Sequence, residues 1–158
     1  MLSKKSKYAI KALVTLAKEY EQGPILISKI AEADHIPQKF LEAILLELKK
    51  IGVLGSKKGS GGGYYLIKPP SEVMLSSVMR LTDGPISLIP CVSLNFYERC
   101  AECVDEATCG LRDIAMEVRD ASLKILANTS LADLLIREER LKKITKKKTP
   151  LKTAKSKV

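Results

Sequence analysis

Two adjoining stretches decide the fold. The first is Pro37-Gln38-Lys39-Phe40-Leu41-Glu42-Ala43-Ile44-Leu45-Leu46-Glu47-Leu48-Lys49-Lys50-Ile51-Gly52. The second is Gly55-Ser56-Lys57-Lys58-Gly59-Ser60-Gly61-Gly62-Gly63-Tyr64-Tyr65-Leu66-Ile67. In the first, Phe40, Leu41, Ile44, Leu45, Leu48 and Ile51 recur at threes and fours, which predicts a helix with one buried face. Pro37 pre-sets its first turn and Gly52 is its expected C-terminal stop. In the second, Val53-Leu54 and Tyr64–Ile67 read as short β segments around a glycine-rich, lysine-bearing loop. That loop leads into a strand, so no helix N-terminus faces it and a nucleotide-phosphate cradle is not expected.

Working outward, Lys4–Tyr20 carries Tyr8, Ala9, Ala12, Leu13, Leu16, Ala17 and Tyr20 at helical spacing. Gly23-Pro24 ends that helix, and Ile25-Leu26-Ile27 suggests a brief strand. Ser28 offers an N-cap for a short helix over Lys29–Ala33, and a turn at Asp34-His35-Ile36 joins it to the Pro37 helix. Two helices across a short turn form a helix-turn-helix, whose second helix enters the major groove. A hairpin placed directly after it is a wing.

The face of the second helix outside the core carries Gln38, Lys39, Glu42, Ala43 and Glu47, residue types suited to base edges and phosphates. Lys57, Lys58 and Gly59 form the wing tip, where close approach to a sugar-phosphate wall needs glycine and cations. The candidate DNA-binding set is Ser28, Pro37, Gln38, Lys39, Glu42, Lys57, Lys58, Gly59 and Tyr64. The expected ligand is a double-stranded DNA operator.

Charge is segregated along the 158 residues. The net formal charge of +9 divides into +6 over residues 1–68, −5 over 69–136 and +8 over 137–158. A DNA-facing front with an acidic middle of different purpose fits this better than a uniformly basic binding protein. No apolar run is long enough to cross a membrane, and no apolar segment with a cleavage site follows the basic N-terminus. A cytoplasmic, membrane-free protein is therefore expected.

The acidic middle holds Cys91, Cys100, Cys103 and Cys109, separated by eight, two and five residues. Without a secretion signal, such clustering favours metal or redox chemistry over structural disulfides. Four thiolates can complete the shell of an iron–sulfur cluster or close a tetrahedral zinc site. Metal-free oxidation of Cys100 and Cys103 to a disulfide is a third use. The one histidine, His35, is far in sequence from any cysteine, and no Ser/His/Asp set or paired-carboxylate site is evident, so catalysis is not expected.

Between the wing and the cysteines, Ser71–Arg80 reads as a short helix closed by Thr82-Asp83-Gly84-Pro85. A long helix is expected from Thr108, with Leu111, Ile114, Ala115, Val118, Ser122 and Ile125 on a face that so small a domain cannot cover, and thus against a partner copy. A short helix over Thr129–Leu135 ends the expected structure. The division is a winged domain at 1–82, a cysteine-bearing sensor loop at 83–109, a dimerisation helix and short C-terminal helix at 110–136, and a basic tail at 137–158. That tail is expected to lack structure and to serve nonspecific electrostatics or solubility. The fold class is mainly α with a small β wing.

Tyr8-Ala9, Leu41-Glu42, the run Gly59–Leu66 and the cysteine loop that follows occur together in the order of a known group. Up to about residue 136 the chain resembles the Rrf-type winged helix-turn-helix regulators, which include IscR, NsrR, RirA and CymR. The resemblance implies a sequence-specific, homodimeric transcription regulator, a repressor, that senses iron, redox or nitrosative state through a 2Fe-2S or 4Fe-4S cluster. It places Glu42 at a base-reading glutamate and Lys58 at a minor-groove arginine. Pro37, Lys39 and Ala43 depart from the serines and glutamines of that pattern. Cluster-binding members use three loop cysteines and a histidine or an N-terminal carboxylate. Here Arg112 replaces the histidine, residues 3–8 hold no acid, and an extra cysteine is present. CymR-like members imply the alternative of a cluster-free regulator governed by a metabolic-enzyme partner, cysteine oxidation or structural zinc.

Overall fold

A computed structural model of the chain describes residues 2–148. The described residues form six α-helices and one two-stranded antiparallel sheet. In α1 (Lys4–Lys18), the Ser3 hydroxyl accepts from the Ser6 backbone N–H at 3.0 Å and caps the first turn. Its buried face is Ala9, Ala12, Leu13, Leu16 and Ala17, and the alanines let neighbouring helices approach closely.

The expected strand at Ile25–Ile27 contracts to a single bridge. Ile25 and Tyr64 exchange backbone hydrogen bonds at 2.8 and 2.9 Å, and Ile27 already opens α2 (Ile27–Asp34). Ser28 therefore lies inside the first turn of α2 and is not its cap. Leu26 holds the cap position and contributes no side-chain bond. His35 ends α2 in the left-handed region (φ 53°), and its N–H returns to the helix carbonyls. Ile36 is buried beneath the turn, and Pro37 precedes α3 (Gln38–Lys50), offering its carbonyl to the Phe40 and Leu41 N–H groups at 3.0 Å each.

Leu41, Ile44, Leu45 and Leu48 of α3 are buried as expected, whereas Phe40 and Ile51 are not, at 42% and 47% exposed. Phe40 lies on the flank of the stripe, its ring edge-on to Tyr8 at 5.8 Å. Ile51 lies past the last helical residue, where helical spacing no longer determines direction. The ending follows the Schellman pattern: Gly52 takes φ 72° and bonds back to Lys49, while Val53 bonds back to Leu48.

β1 (Leu54–Lys57) pairs with β2 (Gly63–Leu66) in the register Leu54↔Leu66 to Lys57↔Gly63. Gly63 is forced by geometry. Its φ is 147°, and a Cβ there would lie 2.2 Å from the Ile25 carbonyl oxygen.

Helix α4 (Leu75–Asp83) begins later than the periodicity suggests. Pro70–Glu72 form a 3-10 turn, and Val73 stays extended because its carbonyl accepts from Leu131 while Leu75 donates to Thr129. This strap ties the segment after the wing to the start of α6. Helix α5 covers Gly110–Leu126, and α6 runs from Leu131 to Lys148, opened by a reciprocal Ser130–Asp133 cap.

The last of these corrects an expectation. Residues 137–148 continue α6, because a series dominated by the good helix formers Arg, Glu, Leu and Lys sustains a helix without an apolar stripe. The remaining tail, 149–158, lies outside the described residues.

Candidate functional site

Helix α3 and the wing present one continuous edge. Gln38, Lys39, Glu42, Lys57, Lys58 and Gly59 are all exposed, as is Pro37 at the head of α3. Tyr64 joins the two parts. Partial burial pushes its phenol above the ordinary value, and the Glu42 carboxylate pushes in the same direction, so recognition helix and wing strand share one electrostatic environment. Ser28 is half-buried within α2.

Two contacts not foreseen from the residue pattern hold this edge in place. Lys49 Nζ donates to Ser56 Oγ at 2.7 Å, fastening the end of α3 to β1. Glu47 pairs with Lys5 of α1 at 2.7 Å, so this acid is engaged within the domain rather than offered to bases. Neither pairing has a local sequence signature, since its partners come from separate elements.

The cysteine segment is built differently. Cys91 and Val92 sit in a 3-10 turn, Pro90–Val92, and bury themselves against Ala115 of α5, with Ile89, Cys100 and Met116 packed around them. Arg119 Nη1 donates to the Val92 carbonyl at 2.6 Å and pins this turn to α5. Cys100 and Cys91 approach sulfur to sulfur at 3.8 Å. The Cys103 N–H closes a turn onto the Cys100 carbonyl at 3.1 Å, and Arg99 braces that turn through the Cys103 and Val104 carbonyls. Cys109 holds the N-cap position of α5.

The Cys100 thiol is pushed above its ordinary value, first by its hydrogen bond to Cys91, then by burial and by the other cysteines, Cys103 and Cys109 included. Cys91, Cys103 and Cys109 thus all disfavour its thiolate, Cys91 through direct contact. The sulfur–sulfur contact joins Cys91, carried on the 3-10 turn Pro90–Val92, to Cys100, a pairing that the CxxC spacing does not suggest.

This all-thiol donor set fits a metal group in part. Four thiolates at about 2.3 Å from one metal stand about 3.8 Å from each other, the separation of Cys91 and Cys100. Among the described residues, no group of three or more His, Cys, Asp or Glu is gathered tightly enough for a single ion. A group of more than one metal atom tolerates the wider spread. Arg112 turns toward the acidic side of the loop, with its Nε 3.7 Å from Glu106, and that buried nitrogen has no hydrogen-bond partner.

On α5, Leu111, Ile114, Val118 and Ile125 form an exposed apolar stripe. Ala115, expected to share that stripe, is covered by Cys91 and Val92 of its own chain and belongs to the inner face. Ser122 is half-buried beside a cleft of about 390 Å³ between the Asp83–Leu88 segment and α5. Among the described residues, no helix is long and apolar enough to cross a membrane.

The family model described as "Rrf2: Iron-dependent Transcriptional regulator" matches residues 2–137. The chain belongs to the Rrf2 family. An Rrf2-like HTH-type transcriptional regulator of Rhodobacter capsulatus is 41% identical over 138 residues, covering 85% of this chain and 92% of that one. The HTH-type regulator NsrR of Geobacillus kaustophilus is 33% identical over 147 residues, covering 93% and 97%. Among solved structures, CymR, the global cysteine regulator of B. subtilis, superposes with a TM-score of 0.70 at 28% identity, covering 85% of this chain and 95% of that one. This Rrf2 chain is accordingly a DNA-binding transcription regulator, with the winged helix-turn-helix as its reading head.

Proposed function

We propose that the chain is a homodimeric repressor whose operator affinity is set by an iron–sulfur cluster held by Cys91, Cys100, Cys103 and Cys109. The observation that carries this reading is the Cys91–Cys100 pair at 3.8 Å, the spacing of adjacent ligands, with Cys103 turned back onto Cys100 and Cys109 at the head of α5. The family's description as iron-dependent agrees with it. When bound, such a cluster supplies a reversible redox couple that oxidants, iron supply or nitric oxide disturb.

The rest follows from this chain's own residues. Cys109 begins α5, and Cys91 packs on α5 through Ala115, so drawing the cysteines together fixes the loop against that helix. Arg119 carries the same restraint through the Val92 carbonyl. The open stripe Leu111, Ile114, Val118 and Ile125 supplies the dimer contact, with Ser122 at its border. A dimer reads two half-sites whose spacing is set by its symmetry, so a shift of α5 moves two α3 helices relative to each other. Gln38, Lys39 and Glu42 then meet base edges, while Lys57, Lys58 and Gly59 meet the backbone.

Anaerobic reconstitution followed by visible absorption and iron and sulfide assay tests the cluster. The expected result is a coloured protein that becomes colourless when the four cysteines are replaced by serine. Stoichiometric zinc without sulfide would instead favour a structural zinc site.

A second reading rests on the 3.8 Å approach of Cys91 and Cys100: a cluster-free regulator switched by oxidation of that pair. A metal-free protein whose operator binding responds to mild oxidant, with Cys91 and Cys100 joined in the peptide map, would favour oxidation.

A further inference from the structure

Helix α6 is a domain helix at one end and an overhang at the other. Leu131 is fully buried, and Leu134 and Leu135 pack on the core. Glu138 then pairs with Lys18, the last residue of α1, at 2.9 Å. Beyond that ion pair the helix continues ten residues to Lys148, about 15 Å at 1.5 Å per residue. The family model's match ends at residue 137, where the overhang begins.

Its charge is lopsided. Both acids are already engaged, Glu138 with Lys18 and Glu139 with Lys142 at 3.0 Å. Arg140, Lys143 and Lys146 stand exposed, three residues apart and hence neighbours along one flank of the helix, without an ion pair among the described residues. Cations so arranged repel one another, and a polyanion relieves that repulsion. The overhang starts beside the end of α1, where Glu138 meets Lys18. The turn after α1, including Tyr20 and Gly23, lines one cleft with Tyr65 and Leu66 of the wing strand.

We propose that Arg140, Lys143 and Lys146 form a second DNA contact, which grips backbone phosphates beside the operator without reading bases. DNA carries one charge per about 1.7 Å of axis, so a flank about 9 Å long meets several phosphates. Long, unpaired cationic side chains suit such contacts, and nothing rigid orients them toward base edges. The proposal rests on the DNA-binding function and is independent of the cysteine chemistry.

The test uses the full chain and its R140Q/K143Q/K146Q variant, titrated with an operator duplex and an unrelated duplex across a salt series. Loss of three phosphate contacts lowers the slope of log K against log salt by about 2–3 on both duplexes, leaving the ratio of the two affinities unchanged. The charge-retaining K143R/K146R variant keeps the full slope, which separates charge from any loss of helix. An unchanged slope overturns the proposal, as does an effect confined to the operator. A change in sedimentation with an unaltered slope would make the flank a protein contact and overturn it equally. A parent chain that binds neither duplex would defeat the DNA-binding function itself.

Discussion

The reading head and the cysteine segment lie in one small chain and are held by opposite means. The α1–α3 region is braced by a continuous apolar core in which Leu13, Ile30, Leu41, Leu45 and Leu48 are fully buried. Its turns are locked by Gly52 and by the Ile25–Tyr64 bridge. The cysteine segment has a core of three buried residues, Cys91, Val92 and Ala115, supplemented by the Arg119 contact. Around it Leu94, Phe96, Tyr97 and Val104 are exposed. A rigidly packed part presents one unchanging face. A part held by few contacts is reordered by a small input of free energy, as the sensing role proposed for the cysteines requires.

The largest effect that would break this contrast is in the first region. Leu45→Ala should cost about 2–5 kcal/mol in denaturant unfolding, because it deletes a fully buried side chain from the shared core. A cost below about 1 kcal/mol would mean that the reading head is not so rigidly packed.

Next, Gly63→Ala should cost about 1–3 kcal/mol and weaken operator binding. The added Cβ meets the Ile25 carbonyl at a backbone angle that disfavours any side chain. Electrophoretic mobility shift with the purified variant reads the binding loss, and unimpaired binding would disconnect the wing from recognition.

Smaller still is Arg119→Gln. One charge-assisted hydrogen bond to the Val92 carbonyl is lost, so global stability should change by no more than about 1–3 kcal/mol, while the cysteine segment becomes the first site of limited proteolysis. Cleavage beginning in the wing instead would reverse the comparison.

The smallest effect is one of pH. Hydrogen bonds from Ser130 hold the Asp133 carboxyl below its ordinary value. A carboxylate with a depressed folded value stabilises above its unfolded value and loses that contribution as pH falls through the folded one. Fraying of α6 by circular dichroism should therefore set in below the ordinary carboxylate range and be absent from the pH profile of Asp133→Asn.

Sequence periodicity revealed the reading head because its signals are local. Apolar spacing over Leu41–Leu48 and the Gly52 stop act within a few residues and appear where the pattern places them. The glycine-rich wing forms too, but β1 runs on to Lys57, which the pattern put in the loop and which pairs with Gly63. The misses share a different cause. Ser28 looks like a cap, but Ile25 bonding to Tyr64, far along the chain, ends the extended run early and moves the helix start. Ala115 fits the open stripe by spacing, yet Cys91 covers it from a loop whose path no periodicity describes. Helix propensity without an apolar stripe carried α6 onward to Lys148, against the expectation drawn from its lysines. At the cysteine site the donors were legible, whereas the Cys91–Cys100 approach depends on a 3-10 turn with no sequence signature.

The central claim is that the cysteine segment governs what the winged domain binds. Anaerobic footprinting on the protein's own promoter, comparing cluster-reconstituted chain with the variant lacking all four cysteines, addresses it directly. The account predicts that protection by the reconstituted protein weakens at least tenfold in the variant, or shifts to different sites, although both remain folded dimers. Identical footprints at identical concentrations, with or without the cysteines, would contradict it.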